Sequence, residues 1–343
     1  GIFRFEIDTT AFAVWTMVAH VGWLAEEERA PYLEGLWPSI RSGTNLLETW
    51  KDEATGLQAP AQEDDSGAHT QTIHGAVTVL GALELASRAA VLIGEDEDAA
   101  RWAARYRELR AAILEHLFDA EARRFLMGET ARGPFAASGL TPSGPTGWAV
   151  WPMTVLPLDD EVTQSQVAYD LDIVTPMIDL DEAGGLYFMK NTNAAAVALL
   201  GLQGEAEATQ RAELRRLVEV LASHATPDTK QFGEVMVVVE DEDGTRRPEQ
   251  RTATPHLWES SLFYLTAMGV ENPKSLLRYD EALPPMPGVV YDSDCGCRSQ
   301  QRSTTWSSST SGLTTARTST WCRTTTTSSS SVASSTAPPS SCP

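Results

Sequence analysis

Five segments of this chain are apolar on nearly every face, and four segments with a single apolar face lie between them. The all-round apolar segments are 9–23, 71–93, 147–156, 192–202 and 256–268, and the one-faced segments are 29–49, 96–117, 160–173 and 206–224. A helix that is apolar on all sides must be covered on all sides, whereas a helix with one wet face lies at a surface. Regular alternation of the two kinds is the pattern of an inner ring of helices wrapped by an outer ring. A simple bundle, whose helices all share one kind of face, has no need of it.

The connections follow the same alternation. Turns from an all-round apolar segment to the next one-faced segment are short at 26–28, 94–98, 158–161 and 203–205, and the return connections are long at 50–69, 118–146, 174–190 and 225–254. Long loops inside a compact domain are usually functional, and in a double ring these would all emerge on one face. The last of them predicts a hairpin, with 234–240 as a strand and 241–244 as the turn. Pro38 predicts a kink in the second helix. The fold class expected is therefore all-α, with a small β-hairpin in a loop.

Composition narrows the possible partners. A formal net charge of -21 disfavours nucleic acid and anionic membrane surfaces, and suits a neutral or cationic ligand. No apolar run reads as long enough to span a bilayer. The ten Trp residues are numerous, and several sit at loop–helix junctions, where a ring can stack on a sugar or simply fill space. All four Cys residues, at 295, 297, 322 and 342, lie outside the helical region, so neither disulfides nor Cys-held metal belong to its design. From about Ser293 the chain turns Ser/Thr-rich and nearly free of apolar residues, which predicts disorder. The stretch reads either as a glycosylated stalk or as translation in the wrong frame, and its scattered Arg, Cys and Trp favour the second. The expected organisation is a helical domain over 1–290 and a tail over 291–343. The chain opens Gly1-Ile2-Phe3 without Met, which is the expectation for a fragment edge. Localisation stays undetermined, with cytoplasm favoured.

Two loops carry chemistry. Gln62-Glu63-Asp64-Asp65 precedes the third helix, and three adjacent carboxylates repel one another, raising the proton affinity of at least one. A carboxyl that stays protonated near neutrality can serve as a general acid, although a solvated acidic loop at a helix N-terminus accounts for the same residues. Glu249 lies among Arg246, Arg247 and Arg251, whose charge favours its ionised form. That suits a general base, and a surface ion-pair cluster is the alternative. Two carboxyls pushed in opposite directions are the assignment of acid and base in glycosidases. Thr254 reads as the N-cap of the last helix with Pro255 at its first position. Gly184-Gly185 before Leu186-Tyr187-Phe188 reads as a turn before a buried helix. His69 and His74 lack a Glu at metalloprotease spacing, and no phosphate-binding glycine pattern or nucleophile elbow is present. The expectation is no metal and no cofactor.

On these residues the chain resembles the glucoamylase-like glycoside hydrolases of family 15. Pro248-Glu249-Gln250 followed by Thr254-Pro255-His256-Leu257-Trp258 is similar to that family's Pro-Glu-Gln segment and the opening of its last inner helix. Gln62-Glu63-Asp64 stands where the family has Trp-Glu-Glu, with Gln62 in place of the Trp, and Asp8-Thr9-Thr10-Ala11 is similar to an Asp-Gly-x-Ala helix entry. The resemblance spans roughly residues 5–270. It implies an (α/α)6 toroid, incomplete, with about nine of twelve helices and the first three missing. It further implies an inverting, exo-acting α-glycosidase of the glucoamylase, glucodextranase or trehalase kind, acting on an oligosaccharide or α-glucan. Glu63 would be the acid and Glu249 the base, their carboxyls roughly 6.5–9.5 Å apart. Trp50, Asp64, Trp148, Lys190, His256 and Trp258 would line the substrate site. The competing expectations are a sugar epimerase or phosphorylase on a similar toroid, and a non-catalytic remnant. The oligomeric state is not legible.

Overall fold

The computed structural model describes residues 6–63, 71–126, 128, 148–156, 160–181, 183–188, 207–272 and 278–289. The chain divides into two compact units, 1–291 and 292–343. All described residues belong to the first, and the Ser/Thr-rich tail lies outside them.

Helix α1 (Ile7–Ala19) runs into a 3-10 turn (His20–Trp23) and is followed by α2 (Glu26–Thr49), α3 (Ile73–Ile93) and α4 (Asp96–His116). Helix α3 starts where the Thr72 hydroxyl accepts the Gly75 N–H, and stops at Gly94, whose φ of 79° only glycine adopts without strain. It is buried on nearly every face, packed by α1, α2 and α4. Long and apolar enough by itself to cross a membrane (mean hydropathy 1.7), it is 78% buried inside the fold, which makes it a core helix. Helix α4 begins with Asp96, Glu97 and Asp98, whose charges complement the helix dipole, and buries Ala99, Trp102, Tyr106, Leu109 and Ile113 at helical spacing. Helix α2 buries Leu33, Trp37, Ile40, Thr44 and Leu47 and continues as one helix through Pro31 and Pro38. The pairs α1–α2 and α3–α4 thus set an inner helix against an outer one.

A second group comprises α5 (Glu161–Ile178), α6 (Glu207–His224) and α7 (Leu257–Glu271). A two-residue ribbon, β1 (Phe118–Asp119) with β2 (Arg124–Phe125), closes the turn after α4. A three-stranded antiparallel sheet carries β3 (Leu186–Phe188), β4 (Val235–Glu240) and β5 (Arg246–Arg251) in that order. Val237 stands opposite Leu186 on one side and Glu249 on the other. Trp151, Val167, Leu214, Leu217, Leu221, Phe232, Met236 and Val238 form the core of this group. A short helix, α8 (Arg278–Ala282), packs on the 3-10 turn. The buried Arg88 guanidinium ties it to α3, pairing with Asp280 at 2.7 Å and donating to the carbonyls of Asp280, Leu283 and Pro284. The architecture is an incomplete helical toroid with a small β-hairpin.

Several expectations are corrected. Trp148 is helical, but residues 149–156 form turns and bends rather than continuing as a helix, although Trp148, Ala149, Val150, Trp151, Met153 and Val155 are all buried. A short apolar run reports burial and does not distinguish its secondary structure, and Pro152 supplies no N–H for a helical ladder. Helices α1 and α7 are not covered all round. Thr9, Ala13 and Thr16 are exposed on one, and Leu257, Trp258 and Tyr264 on the other. Leu186–Phe188 is a strand, because β4 offers a Val-rich partner. The expected helix at 192–202 lies outside the described residues.

Candidate active site

Glu63 ends the loop that leaves α2, and its carboxyl sits over the N-terminus of α3. Gln58 donates its side-chain amide to Oε1 at 2.9 Å. Oε2 accepts the Thr72 N–H at 3.1 Å, the Gly75 N–H at 3.3 Å and the Thr72 hydroxyl. A Cβ on Gly75 would overlap the carboxyl, so only glycine permits this seat. The side chain is 1% exposed. Burial is the largest influence on its proton affinity. It outweighs the hydrogen bonds from Gln58 and Thr72, and the carboxyl rises from its ordinary 4.5 to about 7. Crowding by Asp64 and Asp65 was the expected cause of such a rise. Those residues lie outside the described ones, and desolvation is the dominant cause.

Two further residues act on Glu63. The His74 imidazole, in the first turn of α3, pairs with Asp8 in the first turn of α1 at 2.9 Å, both buried. His74 favours the Glu63 anion and Asp8 opposes it. Gln62 ties the loop to the start of α1, its side-chain amide donating to Glu6 at 2.9 Å while its backbone carbonyl accepts the Ile7 N–H.

Glu249 lies on β5 rather than in an irregular loop. Its carboxylate is held by Arg251 at 2.6 Å and Arg247 at 3.6 Å, and its side chain is 35% exposed. The third nearby arginine, Arg246, turns instead to Glu240 and to the carbonyls of Leu180 and Asp181. Gln250 locks the strand from the other side. Its carbonyl oxygen accepts the Gly233 N–H at 2.9 Å and its amide donates to the His224 carbonyl at 2.8 Å. A Cβ at Gly233 would come within 2.6 Å of the Arg251 carbonyl, so Gly233 is what lets the two segments touch.

The N-cap of α7 is His256, not Thr254. The His256 N–H is bound to the Phe232 carbonyl, and the first helical bond runs from the Ser260 N–H to the His256 carbonyl. The His256 ring pairs with Glu259, which is fully buried. Next to it, Trp258 stacks on Trp148 with ring centres 5.5 Å apart and planes at 19°. Phe12 of α1 packs edge-on to both, and Trp148 lies 4.7 Å from the His74 ring. This aromatic junction joins the N-terminal ends of α1, α3 and α7, and so connects the Glu63 seat with the segment after Glu249.

Of the remaining expected lining residues, Trp50 donates its indole N–H to the Ala59 carbonyl at 3.0 Å and packs against the core, bracing the loop that ends at Glu63. Asp64 and Lys190 lie outside the described residues. Sequence reasoning assigned no role to Asp8, Gln58, Thr72, Gly75, Phe12 or Glu259. Thr72 and Gly75 at cap spacing were the available signal. Among the described residues no group of three or more His, Cys, Asp or Glu could hold a metal ion.

Searched for relatives, the sequence matches no family model and no curated protein. Its fold does have counterparts among solved structures. A glycosidase bearing a glutamate-to-alanine substitution superposes with a TM-score of 0.51 at 14% identity, over 78% of this chain and 68% of that one. A second glycosidase structure, in complex with glucose, covers the same shares at a TM-score of 0.49 and 14% identity. The chain therefore has a fold that a glycosidase also uses.

Proposed function

We propose that this domain is part of an inverting, exo-acting α-glycoside hydrolase of the glucoamylase, glucodextranase or trehalase kind, resembling family 15. The observation that carries the reading is a glutamate whose carboxyl binds its proton at about pH 7, held in fixed geometry at a helix N-terminus beside an aromatic cluster. Glu63 protonates the glycosidic oxygen as the C1–O bond breaks and its electron pair passes to that oxygen. Water attacks C1 from the opposite face and gives its proton to Glu249, which Arg247 and Arg251 hold in place. Trp258, partly exposed, stacks on a sugar ring of an oligosaccharide or α-glucan. The toroidal fold supports this reading by analogy alone.

The test is hydrolysis of maltooligosaccharides, isomaltose and trehalose by the product of the full-length gene. Glu63→Gln and Glu249→Gln should each lower kcat by at least about a thousandfold with unchanged helicity. Wild-type rates in both would remove the assignment.

A second reading is favoured by the 1% exposure and the four donors around Glu63. In a non-catalytic remnant this carboxyl would simply cap α3. That reading predicts no hydrolysis of any of the three substrates and a purely structural phenotype for Glu63→Gln.

A further inference from the structure

We propose that Asp8 and His74 form a positioning pair for Glu63, pinning the N-terminal ends of α1 and α3 together beside its carboxyl and setting when that carboxyl releases its proton. The geometry comes first. The pair joins two neighbouring inner helices through a 2.9 Å contact between two buried side chains. His74 directly precedes Gly75, whose N–H holds Glu63 Oε2. Phe12 and Trp148 pack on the imidazole. Buried charges interact far more strongly than exposed ones because little water screens them.

The electrostatic roles are opposed. His74 favours the ionised Glu63 and Asp8 the neutral form. Other groups bear on the same seat from each neighbouring element. From α1 comes Glu6, bound to Gln62; from the loop after α2 come Gln58 and Asp52, the latter held by Gln71. From the turn at 148 comes Trp148, and from α7 comes Trp258, followed by the His256–Glu259 pair. Asp64 and Asp65 lie outside the described residues. His74 and Asp8 are the charged groups that weigh on Glu63.

The consequence for catalysis rests on Glu63 being the acid, but the titration does not. The experiment follows the Glu63 side-chain carboxyl carbon by NMR against pH in the whole chain labelled with carbon-13 glutamate, with the signal assigned by its loss in Glu63→Gln. His74→Gln leaves Asp8 without its counter-charge, and should move the Glu63 titration up by roughly one pH unit. Adding Asp8→Asn to that variant should bring it back down. Identical titration in the wild type, the single and the double variant would overturn the proposal, as would a downward move in His74→Gln. A second measurement needs neither His74 nor Asp8 changed. In the wild type the His74 ring nitrogens should register a step at the Glu63 titration that vanishes in Glu63→Gln, and the absence of that step also overturns the pair. If Glu63→Gln keeps full hydrolytic activity, the acid assignment falls while these titrations still decide the pair.

Discussion

Glu63 shows how one buried carboxyl links stability to pH. Its folded value of about 7 stands above its ordinary 4.5, so the folded chain holds this proton more tightly than the unfolded chain. The stabilisation is fully present below pH 4.5 and is lost as pH rises through 7. The total is roughly 3 kcal/mol, at about 1.4 kcal/mol per unit. Glu63→Gln, which cannot ionise, should match the wild type in urea unfolding near pH 4 and exceed it by up to about 3 kcal/mol above pH 7. Equal stability at both pH values would show that the carboxyl is not desolvated. At Gly75 the same crowding gives a second outcome. Gly75→Ala places a methyl on the Glu63 carboxyl and should lower stability by roughly 1–3 kcal/mol. Its thermal unfolding compared with Gly81→Ala, where the neighbour is the flexible Met153 side chain, separates carboxyl displacement from general helix crowding.

At the scale of elements, two contacts decide how the sheet and α7 are held. His224, in the last turn of α6, is buried against the end of α5, and its value is lowered to about 4. The folded state therefore resists protonating it. The stabilisation is present above pH 6.5 and is lost as pH falls through 4. His224→Gln should remove that acid sensitivity, measured as the loss of its rising contribution to Tm against pH, so that Tm falls between about pH 4.5 and 6.5 where the wild type is nearly level. Gln250 clamps β5 to the 224–233 segment through both ends of its amide. Gln250→Ala should cost about 1–2 kcal/mol and, because it loosens the strand carrying Glu249, should lower kcat more than it raises KM. A change in KM alone would contradict the clamp.

Much of this was legible in the chain. Periodicity located α1 to α4 and α5 to α7, because long amphipathic or all-apolar runs leave few alternatives. The hairpin was marked by its Asp-Glu-Asp-Gly turn. What failed had a common cause. Ala149 to Val155 is as apolar as a core helix and mostly buried, yet Pro152 and neighbouring packing leave it as turns and bends. Leu186–Phe188 is a strand only because Val235–Val237 pairs with it, a partner roughly fifty residues away in sequence. At the candidate site, Glu63 and Glu249 were readable as motif residues. The Asp8–His74 pair and the Phe12–Trp148–Trp258 junction were not, since each joins segments that only the fold brings together.

For the whole molecule, the two main titrations run against each other. Between about pH 4.5 and 6.5 the fold loses stability at Glu63 as pH rises and gains it at His224, each at about 1.4 kcal/mol per unit. The two slopes cancel, so the wild type should show a nearly flat contribution from this pair, and His224→Gln should expose the falling slope from Glu63. A slope that does not change in that variant would refute the bookkeeping. The exposed faces of α1, with Thr9, Ala13 and Thr16, and of α7, with Leu257 and Tyr264, belong to this scale as well. The central claim, however, is chemical, and it is the proposed one: Glu63 gives its proton to the glycosidic oxygen while water, passing its own proton to Glu249, attacks C1 from the opposite face. Proton NMR of the sugar released from maltose or a longer maltooligosaccharide, read in the first minutes before mutarotation, tests it most directly. The account predicts β-glucose first, converting slowly to the equilibrium mixture. α-Glucose appearing first would contradict it.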